Sequence, residues 1–382
     1  MVEKKLPLVL INSGEDSDFY YATRFLAHDP ALYIRFAADD DVLVVNVMEV
    51  GRARQTSSVK RVLDRAQHGW EDDPDGHRAW ALMAAKLLRE KGLDRVTVSP
   101  RLPAGYYEEL RGQDISLEID KQLFIADRRR KNAEEADWIH GAQRAAEAAV
   151  SEAVGLLGAS EERKGMLWLD DRPLTSERLM AAAQTALNEI GYSCDDMIVA
   201  GAPDCSMPHF RGEGQIRSGG PVIIDIFPRG RVSRYHGDLT RTVVVGTISP
   251  EVRKMHEAVV AALDAAIGMI KPGVTGRAVN EEVCRILKER GFGAVYPGYE
   301  AAAGTAQMIH STGHGVGLDV HELPALRPVD VPLAEGDVVT VEPGLYLDGV
   351  GGVRVEDTGL VTATGFRNFT SISRSLDPRA YM

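Results

Sequence analysis

Asp225, Asp238, His314, Glu342 and Glu356 are the residues whose types and settings could do chemistry. Each stands in an apolar or glycine-rich stretch where a polar group is out of place. Four carboxylates and one imidazole are the donors that hard or borderline divalent cations take, and there are enough of them to hold two ions. The set implies a dinuclear metal site competent for hydrolysis.

The segments carry this reading one by one. In Pro221-Val-Ile-Ile-Asp225-Ile-Phe a carboxylate interrupts an apolar strand, so a cation or a hydrogen-bonded partner must face it. The plainer alternative is a strand-end or turn aspartate. In Tyr235-His-Gly-Asp238-Leu-Thr-Arg-Thr242 a second aspartate heads a β-branched run, so a hairpin could bring it beside Asp225. Two carboxylates that close repel unless a cation lies between them. Here the alternative is a turn aspartate paired with Arg241. The stretch from His310 to Pro324 holds His310, His314 and His321, and Gly313, Gly315 and Gly317 argue against a regular helix and for backbone that lets a ligand come close. No glutamate follows His310, so this is not an H-E-x-x-H zinc helix. Glu342 and Glu356 each lie inside an apolar strand, and Arg354 shares a face with Glu356 two residues on, a spacing that a buried Arg–Glu ion pair would also give.

The elements that must position these residues fall into two unequal parts. The first alternates strand-like and helical runs: Pro7 to Ile11, Ala31 to Ala37 and Val42 to Met48, a turn at Asp39 to Asp41, a helix from about His77 to Lys91 closed by Gly92, then Arg95 to Ser99. That is an α/β layer pattern. Charge rises near residues 120 to 131, and Asn132 with Glu135 offers a capping box for a long helix running to about Leu157. Three further helices follow, from Thr175 to Ile190 ending at Gly191, from Pro250 to Ile270 ending at Lys271-Pro-Gly273, and from Gly276 to Arg290 ending at Gly291. Between and after them lie the β-rich segments that carry the five residues.

A chain of 382 residues suggests about two domains, and its net charge of -12 argues against general nucleic-acid binding. The one basic run, Arg128 to Lys131, is expected to be a solvated helix entrance. Cys194, Cys205 and Cys284 form no C-x-x-C pair, and one must be left over from any disulfide. After Lys4 and Lys5 the apolar run from Leu6 to Ile11 is too short for a signal-peptide core, and no stretch approaches a membrane span. The expectation is a cytoplasmic protein, for which the sequon at Asn368 means little.

Taken together and in this order, the residues resemble the metal-dependent creatinase and aminopeptidase family, the "pita-bread" peptidases that include methionine aminopeptidase, aminopeptidase P and prolidase. The resemblance runs from about residue 131 onward. It rests on Asp225 in its strand, Tyr235 to Thr242, His310 to Pro324, Glu342-Pro-Gly344 and Arg354-Val-Glu356-Asp. It implies an α/β (α+β) chain whose catalytic domain, residues 131–382, is a curved antiparallel sheet backed by helices in two pseudo-symmetric halves. Residues 1–125 resemble the creatinase-like amino-terminal domain of the prolidase and aminopeptidase P branch, through Ser17-Asp18-Phe-Tyr-Tyr-Ala and the layer pattern.

The resemblance also implies roles. Asp225 would hold one metal, Asp238 and Glu356 both, and His314 with Glu342 the second, with Glu342 shuttling a proton. His209, in Met207-Pro-His209-Phe, and His321 would bind the substrate and its developing oxyanion; read bare, His209 would be a surface residue. Arg354 would read a substrate carboxylate, and His310 would line the proline-side pocket. An oxygen-rich set with one imidazole and no thiolate favours Mn²⁺, with Co²⁺ or Zn²⁺ as alternatives. The implied enzyme is a homodimeric Xaa-Pro dipeptidase acting on small peptides with proline second. Alternatives are an Xaa-Pro aminopeptidase acting on longer peptides, a catalytically silent binding module, or a lyase on the same scaffold. One departure stands out: Ile226 to Arg234 lengthens the hairpin between the two aspartates by about two residues.

Overall fold

In the computed structural model, residues 6–68 and 76–381 are described, and Lys4 and Lys5 lie outside them. The chain forms two compact units, Met1–Arg128 and Arg129–Met382.

The first unit is built on a six-stranded mixed sheet. In spatial order its strands are Val62–Asp64, Asp40–Val45, Ala31–Ala37, Leu8–Asn12, Arg95–Val98 and Ser116–Ile119. The central strands are buried on both faces, and the helix His77–Arg89 packs Trp80, Ala84 and Leu88 against Val9, Ile34 and Val44. Gly92 supplies the left-handed residue beyond that helix, at φ +68. Two expected boundaries move. The turn falls before Asp40, because Asp40 and Asp41 pair with Ala37 and Arg35. The strand expected to reach Met48 stops at Val45, and Val47–Glu49 turn as a short 3₁₀ segment that leaves Met48 81% exposed. An apolar run alone could not show that its last side chains face water.

The second unit repeats one plan twice. In its first half the helices Ala133–Gly158 and Ser176–Glu189 share a core with an antiparallel sheet of Ile198–Gly201, Pro221–Ile226 and Leu239–Val244, built on residues such as Val150, Leu179, Ile224 and Val243. In its second half the helices Pro250–Met269 and Gly276–Glu289 pack Val259, Leu263 and Val283 on Val339 and Val353. The strands there form two sheets. One holds Gly344–Leu347 and Gly351–Arg354, the other Glu322–Leu326, Gly313–Gly315, Val338–Val341 and Asp357–Val361.

Each of the four helices of the second unit begins where the sequence offers a cap. Asn132 and Glu135 form the reciprocal capping box at 2.9 and 3.0 Å, and Thr175, Ser249 and Thr275 cap the other three. The basic run that precedes the first helix departs from expectation, because it is not a solvated face. Arg128 pairs with Asp18 at 3.0 Å within the first unit. Within the second, Arg129 pairs with Asp337 at 2.6 Å and Lys131 with Glu322 at 3.2 Å. Their acidic partners are remote in sequence, so charge composition could not reveal the pairing. All three cysteines are free and buried, and among the described residues no helix is long and apolar enough to cross a membrane.

Candidate metal centre and its cleft

The hairpin Pro221–Ile226 and Leu239–Val244 sets the first two ligand candidates. Its register puts Asp225 opposite Thr240, and Asp238 directly precedes the returning strand. Thr240 faces the second half of the unit. Its carbonyl accepts the Glu356 N–H at 3.1 Å, and its hydroxyl donates to Glu356 Oε2 at 2.8 Å. Glu356 thereby lies beside the hairpin between the strands Gly351–Arg354 and Asp357–Val361.

His314 arrives on Gly313–Gly315. Its Nδ1 lies 3.1 Å from the Gly315 carbonyl, which can only accept, so Nδ1 carries the proton and Nε2 keeps a lone pair. That Nε2 is 3.6 Å from Asp238 Oδ2 and 3.4 Å from Glu342 Oε1. Glu342 follows the strand Val338–Val341, fixed by its N–H to the Thr312 carbonyl at 2.8 Å. Asp238, His314 and Glu356 each offer a donor atom within 4.8 Å of the others.

The electrostatics of this cluster point one way. Burial, then the charges of Asp225 and Glu342, raises the Asp238 carboxyl well above its ordinary value. Burial, then Asp238, Glu342 and Asp225, does the same to Glu356. Glu342 is pushed up to about 8 by burial, with Arg354 opposing and Asp225 adding to the shift. Burial, then His321 beside it, pushes His314 down to about 4, leaving a neutral imidazole. Among the described residues, Asp225 Oδ1 and Glu356 Oε1 are buried oxygens without a hydrogen-bond partner. Crowded buried carboxylates, two orphaned oxygens and a neutral imidazole fit divalent cations, which replace protons as the countercharge.

Arg354 does not make the Arg–Glu ion pair that its spacing would also have given. It is 3% exposed and pairs with Asp225 at 2.6 Å, not with Glu356. Its other nitrogens donate to the Tyr346 hydroxyl at 2.8 Å, the Thr240 hydroxyl at 3.2 Å and the Pro208 carbonyl at 3.4 Å. Strand alternation gave the correct face, but the facing strand supplied the acid. Arg241 likewise pairs with Asp357 at 3.0 Å and not with Asp238.

Met207, Pro208, His209, Phe210, Ile309 and His310 line a cleft of about 470 Å³. His310 Nε2 lies 2.8 Å from the Tyr346 hydroxyl, and burial, then Arg354, pushes this histidine down to about 4. His209 and His321 are exposed, and the His321 ring is tilted against that of His314, with 4.3 Å between centroids.

The glycines of this region lie outside any helix, as expected, and stand where a side chain would clash. A Cβ at Gly313 would lie 2.2 Å from the Thr340 carbonyl, and one at Gly315 would lie 2.5 Å from that of Leu323. At Gly313 and Gly315 this lets neighbouring strands approach one another. The connection between the two aspartates runs outward, where Arg229–Gly230 pair with Tyr192–Ser193 and Val232 is 88% exposed. Thr240 and Tyr346 were missed by sequence reasoning. Thr240 had a usable signal, since it lies two residues from Asp238 and so on the same face.

The chain matches Metallopeptidase family M24 over residues 137–363, a span that includes all five ligand candidates, and it belongs to that family. Within the family it stands in the prolidase and aminopeptidase P branch. It is 37% identical over 183 residues to the Xaa-Pro dipeptidase of Pyrococcus furiosus, covering 47% of this chain and 49% of that one. The chain thus spans about half the length of the curated relatives it matches. Its fold is matched more fully. The prolidase of Pyrococcus horikoshii OT3 superposes at a TM-score of 0.78 and 25% identity, covering 97% of this chain and 95% of that one. The prolidase of Pyrococcus furiosus does so at 0.77 and 25%, covering 97% of both. The second unit therefore has the pita-bread fold of these metallopeptidases, a family that works with divalent metal.

Proposed function

We propose that this protein is a prolidase-type dipeptidase that holds two divalent ions and cleaves the bond before proline in dipeptides. The observation that carries this is the excess of buried carboxylate at one neutral imidazole, with the Asp225 and Glu356 oxygens left without partners. Relatives named Xaa-Pro dipeptidase and prolidase support the substrate class.

Asp225 would hold one ion, Asp238 and Glu356 both, and His314 with Glu342 the second. Bound there, such ions polarise the scissile carbonyl and lower the pKa of a water from about 15.7 toward neutrality. Glu342 would move a proton from the attacking water to the leaving nitrogen. His209 and His321, exposed at the site, donate to the carbonyl oxygen as it gains charge. His310 lines the proline side, its ring fixed by Tyr346. For Arg354 the four bonds to Asp225, Tyr346, Thr240 and Pro208 favour holding Asp225 in place over reading a substrate carboxylate. Mn²⁺ is the proposed metal, since oxygen donors dominate, and a homodimer in the cytoplasm is the proposed setting.

The test is Mn²⁺-dependent release of proline from Ala-Pro, compared with removal of the first residue from Ala-Pro-Ala, with a chelated control. Preference for Ala-Pro is expected. Preference for Ala-Pro-Ala would make the enzyme an Xaa-Pro aminopeptidase, and inertness toward both with metal bound would overturn the peptidase reading.

A further inference from the structure

Gln143 is an amide on the buried stripe of the helix Ala133–Gly158, among Ile139, Ala146 and Val150, and it is fully buried. A polar group there is costly unless fully bonded. Its Oε1 accepts the Asp238 N–H at 2.9 Å, which fixes the orientation of the amide because only the oxygen can accept. Its Nε2 donates to the Thr370 hydroxyl at 3.0 Å. Thr370 Oγ1 also accepts the Thr358 N–H at 3.1 Å, and the Thr358 hydroxyl donates to the Asp238 carbonyl at 2.8 Å. The bonds close a ring: Asp238 N–H, Gln143, Thr370, Thr358, Asp238 C=O.

The chain reaches this ring through Gly237, where a Cβ would lie 2.5 Å from the Ala142 carbonyl carbon. Asp238 therefore runs against the helix backbone and is gripped on both of its main-chain polar groups. Its carboxylate leaves the same Cα toward His314 and Glu356.

We propose that Gln143 is a positioning residue for Asp238, and that the closed ring sets how tightly the site takes up metal. This rests on the two-ion reading of the site. Gln143 is no ligand, since its oxygen is committed to the main chain. It acts by fixing the angle at which the Asp238 carboxylate is presented, and outer partners of ligands typically carry about 10- to 100-fold in metal affinity.

The test is calorimetric titration of Mn²⁺ into the metal-free full chain. Gln143→Met keeps the volume and opens the ring at the Asp238 N–H, and it is expected to weaken affinity by about 10- to 100-fold. Thr370→Val and Thr358→Val, which open the ring elsewhere, should weaken it in the same direction and stand in if the first variant fails to fold. Val150→Ala, on the same helix stripe, controls for lost packing: it should lower thermal stability and leave affinity unchanged. Wild-type affinity in the ring variants, or an equal loss in Val150→Ala, would overturn the proposal. Wild-type protein that binds no Mn²⁺ would overturn the two-ion reading along with it.

Discussion

Glu356 and Asp357 are neighbours in the chain, and both are buried, at 2% and 1% exposure, yet they sit in opposite electrostatic worlds. Asp357 accepts from Arg241 at 3.0 Å, from Asn368 at 2.6 Å and from Arg374. Glu356 has one hydroxyl donor, Thr240, an oxygen without a partner, and three other carboxylates raising its proton affinity. The same contrast separates Asp337, bridged by Arg129 at 2.9 and 2.6 Å, from Asp238. A buried carboxylate satisfied by the chain belongs to the scaffold. Buried carboxylates in excess of the chain's cations point to something brought from outside.

The sharpest way to break that distinction is to remove a carboxylate from each side of it. Glu356→Ala and Asp238→Ala should abolish both metal uptake and hydrolysis, read by metal analysis and by turnover. Full activity in either would end the bridging assignment. Metal-free Glu356→Gln should gain about 1 kcal/mol of stability, because it relieves like-charge crowding where no ion compensates. Asp357→Ala should lose about 3–5 kcal/mol, because it strips Arg241 of its buried partner. Denaturant unfolding of the metal-free proteins reads both signs, and two changes of the same sign would erase the contrast.

A smaller effect separates holding metal from using it. His321 meets the ligand candidate His314 by a ring contact and is an exposed residue. His321→Ala should keep its metal and lose about 100- to 1000-fold in turnover, the scale of one lost oxyanion donor. A normal rate would remove it from the mechanism. Smaller still, and confined to stability, is Arg129→Ala. It leaves Asp337, already bonded to the Ala334 N–H, without its bidentate cation, at a cost of about 3 kcal/mol in denaturant unfolding and no change in metal content.

What the sequence could show divides along the same line. Helices were legible because their end signals are local: Asn132 with Glu135 starts one, and Gly191, Pro272-Gly273 and Gly291 follow the other three. The cluster of Asp238, His314 and Glu356 was legible because a carboxylate in an apolar strand is costly and therefore conspicuous. Partners were not legible. Arg354 sits two residues from Glu356 and bonds Asp225, 129 residues away, and the Arg128 to Lys131 run finds its acids at 18, 337 and 322. Alternation along a strand says which face a side chain takes and nothing about which strand lies opposite. The same limit hid why Gly313 and Gly315 are glycines, since the atoms that exclude a Cβ belong to the neighbouring strands at Thr340 and Leu323.

Cys205 tests the rule at its weakest point, a nucleophile type beside the cleft. Its thiol is buried, accepts the Gly352 N–H at 3.2 Å and lies 3.5 Å from the Pro221 carbonyl. Burial pushes it up to about 11, so at neutral pH it is an un-ionised packing group and not a thiolate. A serine hydroxyl can take the same N–H, so Cys205→Ser should cost at most about 1 kcal/mol of stability and leave turnover unchanged. Cys205→Ala orphans the Gly352 N–H and should cost about 1–3 kcal/mol, again with turnover per folded molecule intact. If Cys205→Ser held its metal and still lost turnover, the division between scaffold and site would fail here, because a group the chain satisfies completely would be taking part in the chemistry.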